Sequence, residues 1–139
     1  MITRKFPALV LKSGNDHVRI PVQVELNFDE ENDPFAIQMI ASAKNEEDAV
    51  WFFARELLLA GVNSLEPVGT GDIKFRYSGS ANGQDSLYVC LSNLNGHADL
   101  AFPHNEVVAF LNDTTDAALE AIGHLDALID EELEDMLNG

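Results

Sequence analysis

From residue 17 to residue 28 the chain alternates, with Val18, Ile20, Val22, Val24, Leu26 and Phe28 sharing one face. A period of two belongs to a β-strand and to no helix, and this is the cleanest such signal in the sequence. Pro21 removes one backbone donor from the run, which places an edge or a bulge at that point. A chain built around such a strand needs neighbours for it, and the sequence supplies them.

Residues 6–12 are compatible with a strand and lead into the turn formers Ser13-Gly14-Asn15-Asp16. After the alternating run comes the acidic turn Asp29-Glu30-Glu31-Asn32-Asp33-Pro34, and residues 35–42 resume as a strand. The apolar run Ala49-Val50-Trp51-Phe52-Phe53-Ala54 is dense in aromatics, which favours a strand. Glu56, Leu57, Leu58, Leu59 and Ala60 are good helix formers, and Gly61 stands where a helix-ending glycine belongs. A strand is therefore expected to run straight into a short helix. Residues 73–77, 86–92 and 98–102 are strand-like again. Pro103 is expected to open a helix whose stripe is Val107, Phe110 and Leu111. A separate final helix follows, with Leu125, Leu128, Ile129, Leu133, Met136 and Leu137 at helical spacing. The expected class is α+β in one domain over residues 1–139: antiparallel strands followed by a helix, twice over, ending in an amphipathic helix.

Charge bounds the partners. Eight Lys and Arg face 24 Asp and Glu, a net charge of −16, and all eight bases lie before residue 77. Residues 1–76 carry net −4 and residues 77–139 carry net −12. Such a surface repels phosphate backbones and anionic lipid, so nucleic acid is not expected as a partner. No stretch approaches the roughly 18 consecutive apolar residues of a membrane span, so membrane insertion is not expected either. It serves either solubility or the docking of a basic partner. Cys90 is the single cysteine, which excludes an intramolecular disulfide and fits a reducing compartment. The N-terminus carries Arg4 and Lys5, but Lys12, Asn15, Asp16 and Arg19 interrupt any apolar run too early for a signal peptide, and a cytoplasmic location is expected.

No motif for catalysis emerges. His17, His97, His104 and His124 have no partner at a recognised metal-ligand spacing. Cys90, in Leu87-Tyr88-Val89-Cys90-Leu91, is expected to be an inert thiol buried in a core strand. No G-x-S-x-G is present, and Gly79-Ser80-Ala81-Asn82-Gly83 has the composition of a hairpin loop. Gly69-Thr70-Gly71-Asp72 lacks the further glycine or lysine of a phosphate cradle and precedes a strand, so a tight turn is expected. Asp29, Glu30, Glu31 and Asp33 lack the spacing, glycine and terminal Glu of a calcium loop. No cofactor, metal or enzymatic activity is expected.

The final helix carries like charges four residues apart at Asp130/Glu134 and Glu131/Asp135, and acids near its C-terminus oppose its dipole. Packing of its apolar stripe, against the same chain or a neighbouring subunit, must hold it. Asp130, Glu131, Glu134 and Asp135 are the candidate partner-docking residues; a merely solvated face is the alternative.

With these residues laid out, the sequence resembles the SsgA-like regulators of sporulation and cell division. The resemblance rests on Asp33-Pro34-Phe35-Ala36-Ile37, on Val50 and Phe52-Phe53-Ala54-Arg55-Glu56-Leu57-Leu58 around Trp51, on Gly61, and on Gly69-Thr70-Gly71-Asp72-Ile73. Phe110-Leu111, Thr115, Gly123, Asp126, Leu133 and Leu137 add to it, from about Pro21 onward. Asn27 stands where that family commonly has arginine, and Glu30-Glu31 is an acidic insert. The resemblance implies structural roles for Asp33, Pro34, Trp51, Phe53, Arg55, Leu58, Gly61, Gly69, Gly71 and Asp72. It also implies a non-enzymatic scaffold at the division septum, a fold like that of the Whirly and mitochondrial guide-RNA-binding proteins, and a bell-shaped trimer. Partners implied are further copies of the chain, an SsgA-like paralogue and the tubulin-like division protein FtsZ, which one branch, SsgB, recruits. By fold analogy alone, single-stranded nucleic-acid binding is the alternative function.

Overall fold

The computed structural model describes residues 1–11, 19–69, 71–79, 85–93 and 96–138. The alternating run forms β2 (Arg19–Phe28), with Val22, Val24, Leu26 and Phe28 buried on one face. Lys12, the expected turn Ser13-Gly14-Asn15-Asp16, His17 and Val18 lie outside the described residues. On one side β2 pairs antiparallel with β1 (Ile2–Leu11) along its whole length. On the other it pairs with β3 (Ala36–Ser42) from Gln23 to Asn27. Pro21 stands just beyond that second ladder, where a missing N–H leaves nothing unpaired.

β4 (Ala49–Ala54) follows on β3, and α1 (Arg55–Gly61) begins at the next residue, so the expected strand-to-helix junction is present. The Arg55 N–H, which has no partner within its own helix, donates to the Phe35 carbonyl at 2.8 Å. β5 (Ile73–Ser78), β6 (Ser86–Asn93) and β7 (Gly96–Pro103) form a second meander, and β7 runs directly into α2 (His104–Asn138). Pro103 ends the strand rather than opening the helix. The two helices expected after it are one helix of 35 residues. Gly123 is tolerated in mid-helix at a propensity cost of about 1 kcal/mol. Among the described residues the halves are thus unequal: four strands and a seven-residue helix, then three strands and a very long one.

All strands join one sheet in the order β4-β3-β2-β1-β7-β6-β5. The two meanders meet through only three pairs, Leu9↔Ala101, Val10↔Leu100 and Leu11↔Asp99. Continuing that register would set Pro7 opposite Pro103. Neither residue has an N–H, so the ladder has no bond to make there and stops. β4 and β5 stand at opposite ends of the strand order, yet Phe53 and Phe75 touch edge to face with centroids 5.1 Å apart. The sheet is therefore curled, and its concave face encloses the core. Phe6, Val24, Leu26, Phe28, Ile37, Met39, Phe75, Leu87, Val89 and Phe102 fill that face, and Val107, Phe110 and Leu111 of α2 complete it.

Gly61 is the last residue of α1, and Val62 after it is right-handed, so the glycine is not a left-handed cap. Its cause is proximity: a Cβ at Gly61 would lie 2.6 Å from the Phe75 Cβ. The neighbouring β5 leaves no room for a methyl group there. Gly61→Ala is expected to destabilise the fold by about 1–3 kcal/mol through overpacking, against the propensity gain of roughly 1 kcal/mol for alanine in a helix. Urea denaturation of the two proteins checks it; an alanine variant at least as stable as the parent would show that Phe75 yields.

Candidate partner-docking surface

α2 divides into two parts. In the first, Val107, Phe110, Leu111, Thr114 and Ala118 are buried. Arg4 of β1 ties this part down, its Nε donating to Glu106 Oε2 at 2.7 Å, with its Nη1 3.7 Å from Asp113 Oδ2. From Gly123 to Leu137 every residue is exposed. Leu125, Leu128, Ile129, Leu133, Met136 and Leu137 are between 40% and 85% exposed. The apolar stripe expected to be held by packing is thus continuous with the buried face but has no cover among the described residues. Asp130, Glu131, Glu134 and Asp135 all lie on this bare part. At 100° per residue, Asp130 and Glu131/Asp135 border the stripe on its two sides, whereas Glu134 points away from it. Sequence reasoning passed over Glu132. It stands seven residues after Leu125, four after Leu128, three after Ile129 and four before Met136, which puts a carboxylate inside the stripe. That position could have been found from the spacing alone.

The residues carrying the resemblance lie elsewhere, where the curled sheet closes over α2. Arg55 is 9% exposed. Its Nε donates to Thr114 Oγ1 at 3.0 Å and its Nη2 to Thr115 Oγ1 at 2.9 Å. Both threonine hydroxyls donate in turn to the Leu111 carbonyl. Burial pulls the guanidinium below its usual pKa, and Glu56 acts in the opposite direction. Arg55 and Thr115, sixty positions apart, are brought into contact; Thr114 was not singled out from the sequence. Phe53, Leu58 and Gly61 are buried beside this seam and Trp51 packs against it. Asp33 Oδ1 accepts from the Phe35 N–H at 3.2 Å, and Pro34 is half-buried between them. Gly69 (φ +134°) and Gly71 (φ +80°) shape the tight turn that brings Val68 back against Phe75. A Cβ on Gly69 would lie 2.4 Å from the Ile73 carbonyl oxygen. Asp72 is exposed, and its carbonyl accepts from the Ser92 N–H at 2.9 Å. Thr70 and residues 80–84 lie outside the described residues.

Buried Asn27 is the centre of a polar cluster. Its Oδ1 accepts from Thr3 Oγ1 at 2.7 Å, and its Nδ2 donates to Glu25 Oε2 at 2.9 Å and Gln38 Oε1 at 3.1 Å. The Asn27 bond, with Lys5 beside it, holds the Glu25 carboxyl below its ordinary value. Of the four acids in the turn after β2, Asp29 Oδ2 accepts from Asn32 Nδ2 at 2.8 Å. Among the described residues no group of three or more His, Cys, Asp or Glu could hold a metal ion, and no helix is long and apolar enough to cross a membrane. His104 Nε2 lies 3.1 Å from the Val62 carbonyl and 3.0 Å from Asn63 Oδ1, tying the start of α2 to the end of α1. His97 Nε2 is 3.0 Å from Asp99 Oδ1, and His124 is exposed.

Cys90 is not in the core. Leu87, Val89 and Leu91 take the inner face of β6, so Cys90 stands on the outer face, half-buried, between Lys74 and Asp99 in the register. Burial, then the hydrogen bond and charge of Asp99, push its thiol up to about 11 from 9.0. A thiol held neutral makes a poor nucleophile. Below pH 9 it is protonated in folded and unfolded chains alike. Between pH 9 and about 11 only the unfolded chain ionises, so stability falls across that window. Iodoacetamide at pH 9–10 is accordingly expected to alkylate Cys90 more slowly in the native chain than in urea; equal rates would refute the shift.

The chain matches the family model described as Streptomyces sporulation and cell division protein, SsgA, over residues 22–120, and it belongs to that family. The match ends where α2 leaves the body of the fold. A sporulation-specific cell division protein of Frankia casuarinae is 44% identical over 81 residues, 58% of this chain and 53% of that protein. The chain thus spans about half the length of that relative. The sporulation-specific cell division protein SsgB of Streptomyces coelicolor is 32% identical over 118 residues, 85% of this chain and 83% of that protein. A solved structure, reported with mutations in SsgB that correlate to longitudinal cell division during sporulation of Streptomyces coelicolor, shares the fold. Its TM-score is 0.74 at 28% identity, covering 86% of this chain and 94% of that one.

Proposed function

We propose that this chain is a non-enzymatic regulator or scaffold of sporulation-specific cell division that works by binding proteins at the septum, where it recruits or places the FtsZ machinery. Membership of the SsgA family supports the cellular role, and relatives across 85% and 58% of the chain carry names from sporulation-specific division. The observation that carries the binding mode is the bare apolar stripe on the second half of α2, which no other part of the described chain covers. The −16 charge disfavours nucleic acid as the partner, even if the fold is like that of the Whirly proteins. In sporulating filaments a functional fluorescent fusion is expected to form regularly spaced ladders; persistently diffuse fluorescence would refute the septal role.

Self-association as a homotrimer belongs to the same proposal. Edge strand β4 supports it, with Val50 49% and Phe52 68% exposed two residues apart on its outer side. Light scattering of the purified chain is expected to give three times the 15.2 kDa chain mass. A mass of one chain at micromolar concentration would remove the trimer and leave the septal role to be judged by the ladders.

A further inference from the structure

We infer that the projecting half of α2 is a docking site for a basic amphipathic helix on a partner protein, and not a contact between copies of this chain. The inference rests on reading the chain as a protein-binding regulator and names the chemistry of one partner. Its first ground is the apolar face itself. Ile122, Leu125, Leu128, Ile129, Leu133 and Met136 recur at the three- and four-residue steps by which one helix packs into another. Apart from half-buried Ile122 they are all exposed, and the face continues the buried stripe of Val107, Phe110, Leu111 and Ala118 without a change of phase.

The second ground is charge, and it selects the occupant. Residues 119–138 hold seven acids and neither Lys nor Arg. Glu132 lies within the apolar face, with Leu125, Leu128, Ile129 and Met136 around it. Two copies packed through this face in parallel would bring Glu132 carboxylates together in a drying interface. An antiparallel pair would set Glu132 among Asp126, Asp130, Glu131 and Asp135, and no base in the segment could answer them. Charges at and beside a helix seam decide which helices pair. Here they oppose a second copy and fit a helix that carries Lys or Arg along both edges of its apolar face and at one position within it. The edges of the stripe are already acidic on both sides, with Asp126 and Asp130 on one and Glu131 and Asp135 on the other.

The experiment uses the full chain, labelled with ¹⁵N. The probe is a synthetic 20-residue helix with leucine along one face, lysine along both margins and one lysine inside the leucine stripe. A scrambled peptide of the same composition has no such face. The amphipathic peptide is expected to shift the amides of residues 121–137 and to bind at least tenfold more tightly than the scrambled one. Ile129→Ser and E132K, both at exposed positions, are each expected to weaken it at least tenfold while keeping the parent's circular dichroism and its mass by light scattering. Equal binding of the scrambled peptide, shifts spread over the rest of the acidic surface, or unchanged affinity in Ile129→Ser would overturn the site. A fall in mass on Ile129→Ser would overturn the choice of partner, because the face would then join copies of this chain. If the peptide fails while the fusion still forms septal ladders, the cellular role stands and only this surface is lost.

Discussion

A helix rises about 1.5 Å per residue, and the concave face of a curled seven-stranded sheet is far shorter than 35 residues of helix. The rest of the structure depends on that mismatch. The sheet needs the first turns of α2, because Phe6, Phe75, Phe102 and their neighbours would otherwise face water. It has nothing to offer beyond about residue 122. The projecting half remains helical because the docked half has already met the cost of nucleation, and each further residue then adds one hydrogen bond. Its like-charged pairs weaken it by only about 0.2–0.5 kcal/mol each, and salt screens them.

The docked half is fixed with some directionality. Apolar packing alone would let α2 slide or turn within the trough. Arg55 prevents this through two threonines on one turn of α2, at a single height along the helix. Arg4 reaches Glu106 from β1 and His104 reaches Val62 and Asn63 behind α1, so three polar ties at different points set rotation and register. A buried guanidinium bound to neutral hydroxyls is an expensive way to do so. What it specifies is the angle at which the rest of α2 leaves the body, and therefore where the acidic, apolar-striped half is presented.

Much of this was legible in the sequence because it followed from local spacing. The inner face of β2, the β4–α1 junction and the turn at Gly69 each follow from neighbouring residues. Failures occurred where the deciding contact is distant. Gly61 has the composition of a cap, and only the approach of Phe75 explains it. Cys90 sits in an apolar run that invites burial, but the register that turns Val89 inward turns Cys90 outward. Thr114 and Thr115 mean nothing until Arg55 arrives from sixty residues earlier. The two C-terminal helices expected from the sequence are one, because the apolar stripe keeps its phase from Val107 through Ala118 to Leu125 and beyond. Within the candidate surface, the acids were visible but their roles were not sorted. Asp130, Glu131, Glu134 and Asp135 form a group by composition; the helix separates Glu134 from the stripe and puts Glu132 within it.

That sorting changes the meaning of the acidity. A net charge of −16 spread evenly would keep the protein soluble and select no partner. Here the bases whose contacts are defined work inside the fold: Arg4 on Glu106, Lys5 on Glu25, Arg55 on two threonines and Arg76 over the ring of Tyr88. The far end of α2 carries acids around an apolar stripe and has no Lys or Arg of its own. Fully exposed carboxylates contribute little to affinity individually, whereas burying the stripe under a partner would remove leucine and isoleucine side chains from water at about 1.5–3 kcal/mol for each one fully covered. Affinity on this surface is therefore assigned to the stripe and selectivity to the acids, with Glu132 the residue at which the two meet.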